Sequence, residues 1–216
     1  MKLLLTSDGL TNKTITETLL KLLTKSPKDC RVVFIPTASN IIAKDRKWMI
    51  DELIKYRDLG FPYIDIVDIS AIAREDWEPR LRSADILLVG GGNPFYLKYW
   101  FIKSGLKDIL PELLQDKVYV GVSAGSMILA PNLLIAPKEQ SIKYLEKDQE
   151  IVGLGIIDFA VMPHYEMGEQ DTSEKHVEAI SRNANLLIYG LDDDSAVVIN
   201  GDILKVVSEG KWRTFE

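Results

Sequence analysis

The chain has 216 residues, 46% of them hydrophobic and 27% charged, with a formal net charge of −6 at pH 7. That length can bury a core without metals or disulfides, and the acidic balance, with no dense Lys/Arg patch, argues against a nucleic-acid or anionic-membrane partner. One cysteine, Cys30, excludes an internal disulfide and fits a reducing, cytoplasmic setting; the apolar run Leu3-Leu4-Leu5 is too short for a signal-peptide core, and no stretch approaches the roughly 18 apolar residues of a membrane span.

Residues 3–6 are predicted as a strand, followed by a helix whose Ile15, Leu19, Leu22 and Leu23 fall at helical spacing. Thr14 and Glu17 offer that helix a capping box. An apolar strand over 31–36 leads to a helix over 44–59 closed by Gly60. Two strands follow at 63–69 and 84–89, the second running into Gly90-Gly91-Gly92. Residues 95–114 read as one or two helices, broken near Gly105 or Pro111. A strand at 117–122 then precedes a tight turn and a short apolar stretch, Met127-Ile-Leu-Ala130.

Past residue 130 the periodicity loosens. Residues 136–150 are charged and aperiodic, which reads as a surface loop or a lid. A strand at 157–162 enters Pro163-His164-Tyr165, and 171–184 reads as a helix with an acidic start. Strands at 186–189, 195–199 and 203–207 complete the chain, the last two joined by the hairpin signal Asn200-Gly201. Strand–helix alternation through the first 130 residues predicts an α/β fold, a mostly parallel sheet with helices on both faces. The final hairpin adds an antiparallel edge. No repeat or linker divides residues 1–216 into more than one domain.

The chemistry concentrates in four places. Gly121-Val122-Ser123-Ala124-Gly125 has the G-x-S-x-G pattern between a strand and a helix, a nucleophile elbow with Ser123 at its apex. A serine hydroxyl is a poor nucleophile without a base, and only two histidines exist. His176 sits among Glu174, Lys175 and Glu178, as on a solvated helix face. His164 follows an apolar strand, at the end where α/β sheets place their ligands, so it is the candidate base. The run Asp192-Asp193-Asp194 lies between two late strands, and one inward carboxylate there would orient the imidazole. Gly90-Gly91-Gly92-Asn93 ends a strand and opens a helix. It lacks the spacing of a dinucleotide or P-loop motif, yet can offer a backbone N–H opposite that of Ala124 to an oxyanion. No His/Cys cluster has metal-ligand spacing, so neither a metal nor a cofactor is expected.

Val89-Gly-Gly-Gly-Asn93, Gly121-Val-Ser-Ala-Gly-Ser126, Pro163-His-Tyr165 and Gly190-Leu-Asp-Asp-Asp-Ser-Ala196 occur in the order of, and together resemble, the motifs of the dipeptidase E (α-aspartyl dipeptidase) and cyanophycinase family. The resemblance implies a three-layer sandwich like the class I glutamine amidotransferases, with serine replacing their elbow cysteine. It implies a triad of Ser123, His164 and Asp193, where the family is expected to carry glutamate. It also implies an oxyanion hole at Ala124 and the Gly91-Gly92 turn, with Asn93 lining the substrate pocket. Two departures stand out. Pro94 occupies a position where threonine is expected, and the segment after Pro163-His164, where an aspartate-binding arginine is expected, has none before Arg182. Lys175 offers only a point charge there.

The chain therefore reads as a serine peptidase cleaving short peptides, including dipeptides with N-terminal Asp, through an acyl-enzyme on Ser123. A second reading, a binding protein that has kept this fold and lost peptidase activity, rests on Pro94 and the absent arginine. A glutamine amidotransferase-like domain is disfavoured because position 123 is not cysteine. The expected partner is a small peptide; the sequence does not distinguish a monomer from a homodimer.

Overall fold

Buried strands in a sheet covered on both sides read as unbroken apolar runs, and those runs set the frame of this molecule. The computed structural model describes residues 1–135, 144, 152–168 and 172–216. In chain order the elements are β1 (Lys2–Thr6), α1 (Lys13–Leu22), β2 (Arg31–Ile35), α2 (Lys47–Asp58), β3 (Tyr63–Ile66), α3 (Arg74–Ser83), β4 (Ile86–Val89), α4 (Pro94–Lys103), α5 (Leu106–Leu113), β5 (Val118–Val122) and α6 (Ala124–Met127). They continue with β6 (Ala160–Met162), α7 (Glu174–Ala184), β7 (Ile188–Leu191), β8 (Ser195–Asn200), β9 (Ile203–Ser208) and β10 (Trp212–Phe215).

A seven-stranded sheet has the order β3-β2-β4-β5-β1-β8-β9. Its first five strands are parallel, and β8 and β9 add antiparallel neighbours beside β1. Alternate residues of each strand feed two cores. Leu3, Leu5, Val33, Ile35, Leu87, Val89 and Tyr119 pack with α3, α4 and α5 on one face. Leu4, Val32, Phe34, Ile86, Leu88, Val118 and Val120 pack with α1 and α2 on the other. This is the α/β sandwich with a mostly parallel sheet that the sequence predicts.

Several local expectations are corrected. The cap of α1 is Asn12, whose side chain accepts from Ile15 N at 3.0 Å; Thr14 lies inside the helix and its hydroxyl makes no cap. Helix α2 begins at Lys47 rather than 44, which frees residues 40–46 to form a wall of the site described below. Helix α3 was not expected, because its sequence is polar and carries Pro79; only Trp77 and Leu81, one turn apart, are buried. The break between α4 and α5 falls at Gly105, which takes φ 80°, while Pro111 is tolerated within α5. In the β8–β9 hairpin Asn200 pairs with Ile203, so the turn itself is Gly201-Asp202. Strands β6 and β7 do not extend the large sheet. With β10 they form a separate three-stranded sheet, β10-β7-β6, over a small core of Ala160, Met162, Ile188 and Phe215. The expected loop or lid at 136–150 lies outside the described residues, apart from Tyr144.

Register decides what gathers at the carboxyl edge. Thr6 of β1 pairs with both Val122 of β5 and Ala196 of β8, and Val89 of β4 pairs with Gly121. The residues just beyond, Ser7, Ser123 and Gly90, therefore leave the sheet side by side, next to Ser195 where β8 begins.

Candidate active site

The turn after β5 is made by close packing rather than by a long loop. A Cβ built on Gly125 would stand 2.2 Å from the Val89 carbonyl oxygen, so only glycine lets α6 press against β4. Ser123 N donates to Thr6 O at 3.1 Å, Ser126 Oγ to Thr6 O at 2.8 Å, and Tyr119 OH to Gly125 O at 2.6 Å. Held from three sides, Ser123 adopts φ 49° and ψ −107°, a left-handed conformation unfavourable for a residue with a Cβ. Such strain costs of order 1–3 kcal/mol and persists only where neighbours impose it. Here it lifts the hydroxyl out of the strand line.

His164, after β6, also has a positive φ of 57°. Its backbone N–H donates to Ser7 Oγ at 2.8 Å, and Tyr165 N donates to Leu191 O at 2.9 Å, which ties this turn to both sheets. The ring then spans two partners: Nε2 is 3.1 Å from Ser123 Oγ, and Nδ1 is 2.6 Å from Asp193 Oδ1. An ionised carboxylate only accepts, so Nδ1 carries the hydrogen and Nε2 presents a lone pair to the serine. The hydrogen bond from His164 holds the Asp193 carboxyl below the usual carboxylate range, against the opposing effect of burial, with the Ser7 hydroxyl adding to it.

The three adjacent aspartates have separate uses. Asp193 alone meets His164. Asp192 Oδ1 accepts from Ser195 Oγ at 2.6 Å and from Asp194 N at 3.2 Å, which shapes the turn into β8. Asp194 faces the surface, its carbonyl accepting from Asn12 Nδ2 at 2.9 Å. Ser7 completes the arrangement: its buried Oγ donates to Asp193 Oδ1 at 2.9 Å while accepting from His164 N. Thr11 Oγ1 donates to Asp193 O at 2.8 Å, so the β1–α1 loop clamps the acid from two directions. Ser7 was not among the expected site residues. Its only advance signal is position, one residue past a strand that neighbours the elbow strand.

A cavity of about 370 Å³ opens over Ser123 and His164, lined by Gly91, Gly92, Pro94 and Met127 among others. Its volume falls in the range of small-ligand sites. Gly92, at φ 139°, could not carry a side chain: a Cβ would lie 2.3 Å from Ala38 O. Among the described residues, none accepts a hydrogen bond from the N–H of Gly91, Gly92 or Ala124. Asn93 Oδ1 accepts from Tyr96 N at 2.9 Å and caps α4, and the next residue, Pro94, lines the cavity. The cations in the cavity were also missed. Lys44 and Arg46 come from the segment before α2, whereas Arg182 pairs with Glu178 on α7 and Lys175 is exposed away from the lining. Arg46 is held by carbonyls, Nη2 to Ser39 O and Ile42 O at 2.6 Å each and Nη1 to Lys44 O at 2.8 Å, with no carboxylate partner among the described residues.

A serine presented on a strained strand–helix turn of an α/β sheet, joined through one imidazole to a carboxylate, is the constellation of a serine hydrolase. The family model of peptidase family S51 matches residues 3–207, and the chain belongs to that family of serine peptidases. It is similar to Uncharacterized peptidase PM1590 of Pasteurella multocida, 27% identical over 177 residues that cover 79% of this chain and 82% of that one. It is also similar to the "Probable alpha-aspartyl dipeptidase" of Drosophila melanogaster, 28% identical over 151 residues, 66% of this chain and 61% of that protein. A crystal structure titled "Putative Peptidase E Protein from Listeria monocytogenes EGD-e" aligns with a TM-score of 0.78 at 25% identity, covering 97% of this chain and 98% of that one. Among the described residues no helix is long and apolar enough to cross a membrane.

Proposed function

We propose that the chain hydrolyses short peptides through an acyl-enzyme on Ser123, with an acidic N-terminal residue as the preferred substrate class. The observation that carries this reading is the unbroken chain Ser123 Oγ, His164 Nε2, His164 Nδ1, Asp193 Oδ1, with links of 3.1 and 2.6 Å. Ser123 Oγ attacks the scissile carbonyl carbon while His164 Nε2 takes its proton. The N–H groups of Ala124 and of the Gly91-Gly92 turn face the oxygen that becomes negative. His164, now an imidazolium stabilised by Asp193, returns the proton to the leaving amine as the C–N bond breaks. Water then adds to the ester by the same route in reverse, with His164 again as base, and frees Ser123.

Asp in place of the expected glutamate is one methylene short, and the Ser7 clamp is what compensates, by holding Asp193 and the His164 backbone to a single hydroxyl. Arg46 is the candidate partner for an acidic side chain, because among the described residues its charge meets carbonyl dipoles and no carboxylate. The relative named for α-aspartyl dipeptidase activity supports this substrate class. The test is a library of X-Leu dipeptides assayed with the native protein and Ser123→Ala. Turnover greatest with Asp-Leu or Glu-Leu and absent in the variant is expected. Turnover that survives in Ser123→Ala contradicts the mechanism, and preference for a neutral residue contradicts the specificity.

A further inference from the structure

The mechanism uses neither of the two aspartates described in the cavity, Asp8 and Asp45. Asp8 lines it together with Ser123 and His164. Among the described residues its side chain has no hydrogen-bond partner and no ion pair, unlike Asp193, Asp192 and Glu52, each of which is satisfied locally. Desolvation and the nearby negative charge of Asp193 push its carboxyl above the usual carboxylate range, while His164 and Lys55 oppose the shift. A carboxylate left unpaired beside another carboxylate, in a concave site, is a receptor for a cation.

The reaction itself says which cation. In a peptide cut after its first residue, the α-nitrogen is two bonds from the scissile carbonyl carbon, a separation of ~2.5 Å by standard bond lengths and angles. Any group that grips the free ammonium must therefore stand beside the nucleophile, within the same cavity. Among the described charged residues lining it, Lys44 and Arg46 carry the wrong sign, and Asp45 accepts the Lys47 N–H at the start of α2. Asp8 remains.

We infer that Asp8 binds the substrate's N-terminal ammonium and so makes the enzyme require a free N-terminus and remove one residue at a time. The inference rests on the peptidase reading, so its test separates binding from turnover. In a Ser123→Ala background, titration calorimetry compares Asp-Leu and Ala-Leu with their N-acetyl forms, with and without Asp8→Asn. Asp8 makes no hydrogen bond among the described residues, so the substitution is expected to leave the fold intact, which a thermal melt checks. The expected result is that at least one free-amine dipeptide binds about 10-fold or more tightly than its acetylated form, and that Asp8→Asn removes the difference. In the otherwise native protein, KM for that dipeptide rises by about the same factor with kcat little changed. Equal binding of free and acetylated dipeptides, or a preference that persists in Asp8→Asn, overturns the inference. A fall in kcat with KM unchanged also overturns it, since Asp8 would then act on the His164 imidazolium. If Asp8-dependent binding is present but the native protein shows no turnover, the peptidase reading fails and the ammonium site stands.

Discussion

Asp193 and Ser7 show how closely single atoms are specified at this site. Asp193→Asn keeps the shape but replaces an acceptor-only group with one that can donate, so the imidazole loses the tautomer that leaves Nε2 basic. A fall in kcat/KM of roughly 10³–10⁴-fold is predicted, with the melting temperature little changed. Ser7→Ala removes the donor to Asp193 Oδ1 and the acceptor of His164 N–H, at 2.9 and 2.8 Å, and leaves a part-buried N–H unsatisfied. That costs about 1–3 kcal/mol of stability, and the slackened triad is predicted to lose on the order of 10-fold to 100-fold in kcat. Ser7→Thr, which keeps the hydroxyl, is expected to recover part of it. Steady-state kinetics with a cleaved dipeptide and a thermal melt read both effects. Ser123, His164 and Asp193 were legible because each sits in a distinctive local pattern at a strand end. Ser7 and Asp8 were not, because a serine and an aspartate after a strand are common, and only register with β5 and β8 brings them beside Ser123 and Asp193.

At the scale of elements, the elbow exists because α6 approaches β4 and β5 more closely than side chains usually allow. Gly125→Ala would force a Cβ to within 2.2 Å of the Val89 carbonyl oxygen, a clash relieved only by moving α6 or β4. A loss of at least about 1–3 kcal/mol is expected, read as a lower urea midpoint, together with loss of activity as Ser123 shifts. The apolar strands and the amphipathic α1 were readable from period alone. What was not readable has physical causes. Helix α3 buries only Trp77 and Leu81, too few to print a 3.6-residue period on a polar segment. Strands β6 and β7 look like members of the main sheet, and only pairing with the late strand β10 sets them apart. The start of α2 mattered most: an expectation three residues too early hid Arg46 within a helix, when it belongs to the loop that walls the cavity.

Across the whole molecule, acidic stability is set by carboxylates that the fold keeps ionised. Hydrogen bonds from Arg80 hold Asp65 below its ordinary value of 3.8, and the His164 bond does the same for Asp193. For each, the folded-state pKa lies below the unfolded one. The stabilisation is therefore complete above the unfolded value and lost as pH falls through the folded one. Glu52, buried and pushed up from 4.5, acts oppositely: it favours the folded state at low pH, and that contribution is lost as pH rises through its raised pKa. Urea unfolding across the acid range is expected to show stability falling below about pH 4, with a shallower fall in Asp65→Asn. The central claim concerns one oxygen, and one measurement reaches it: intact-mass and peptide analysis after exposure to a fluorophosphonate. The account predicts one adduct per chain, on Ser123, that disappears in His164→Ala although the protein stays folded. A folded native protein that takes up no adduct, or takes it up elsewhere, contradicts it.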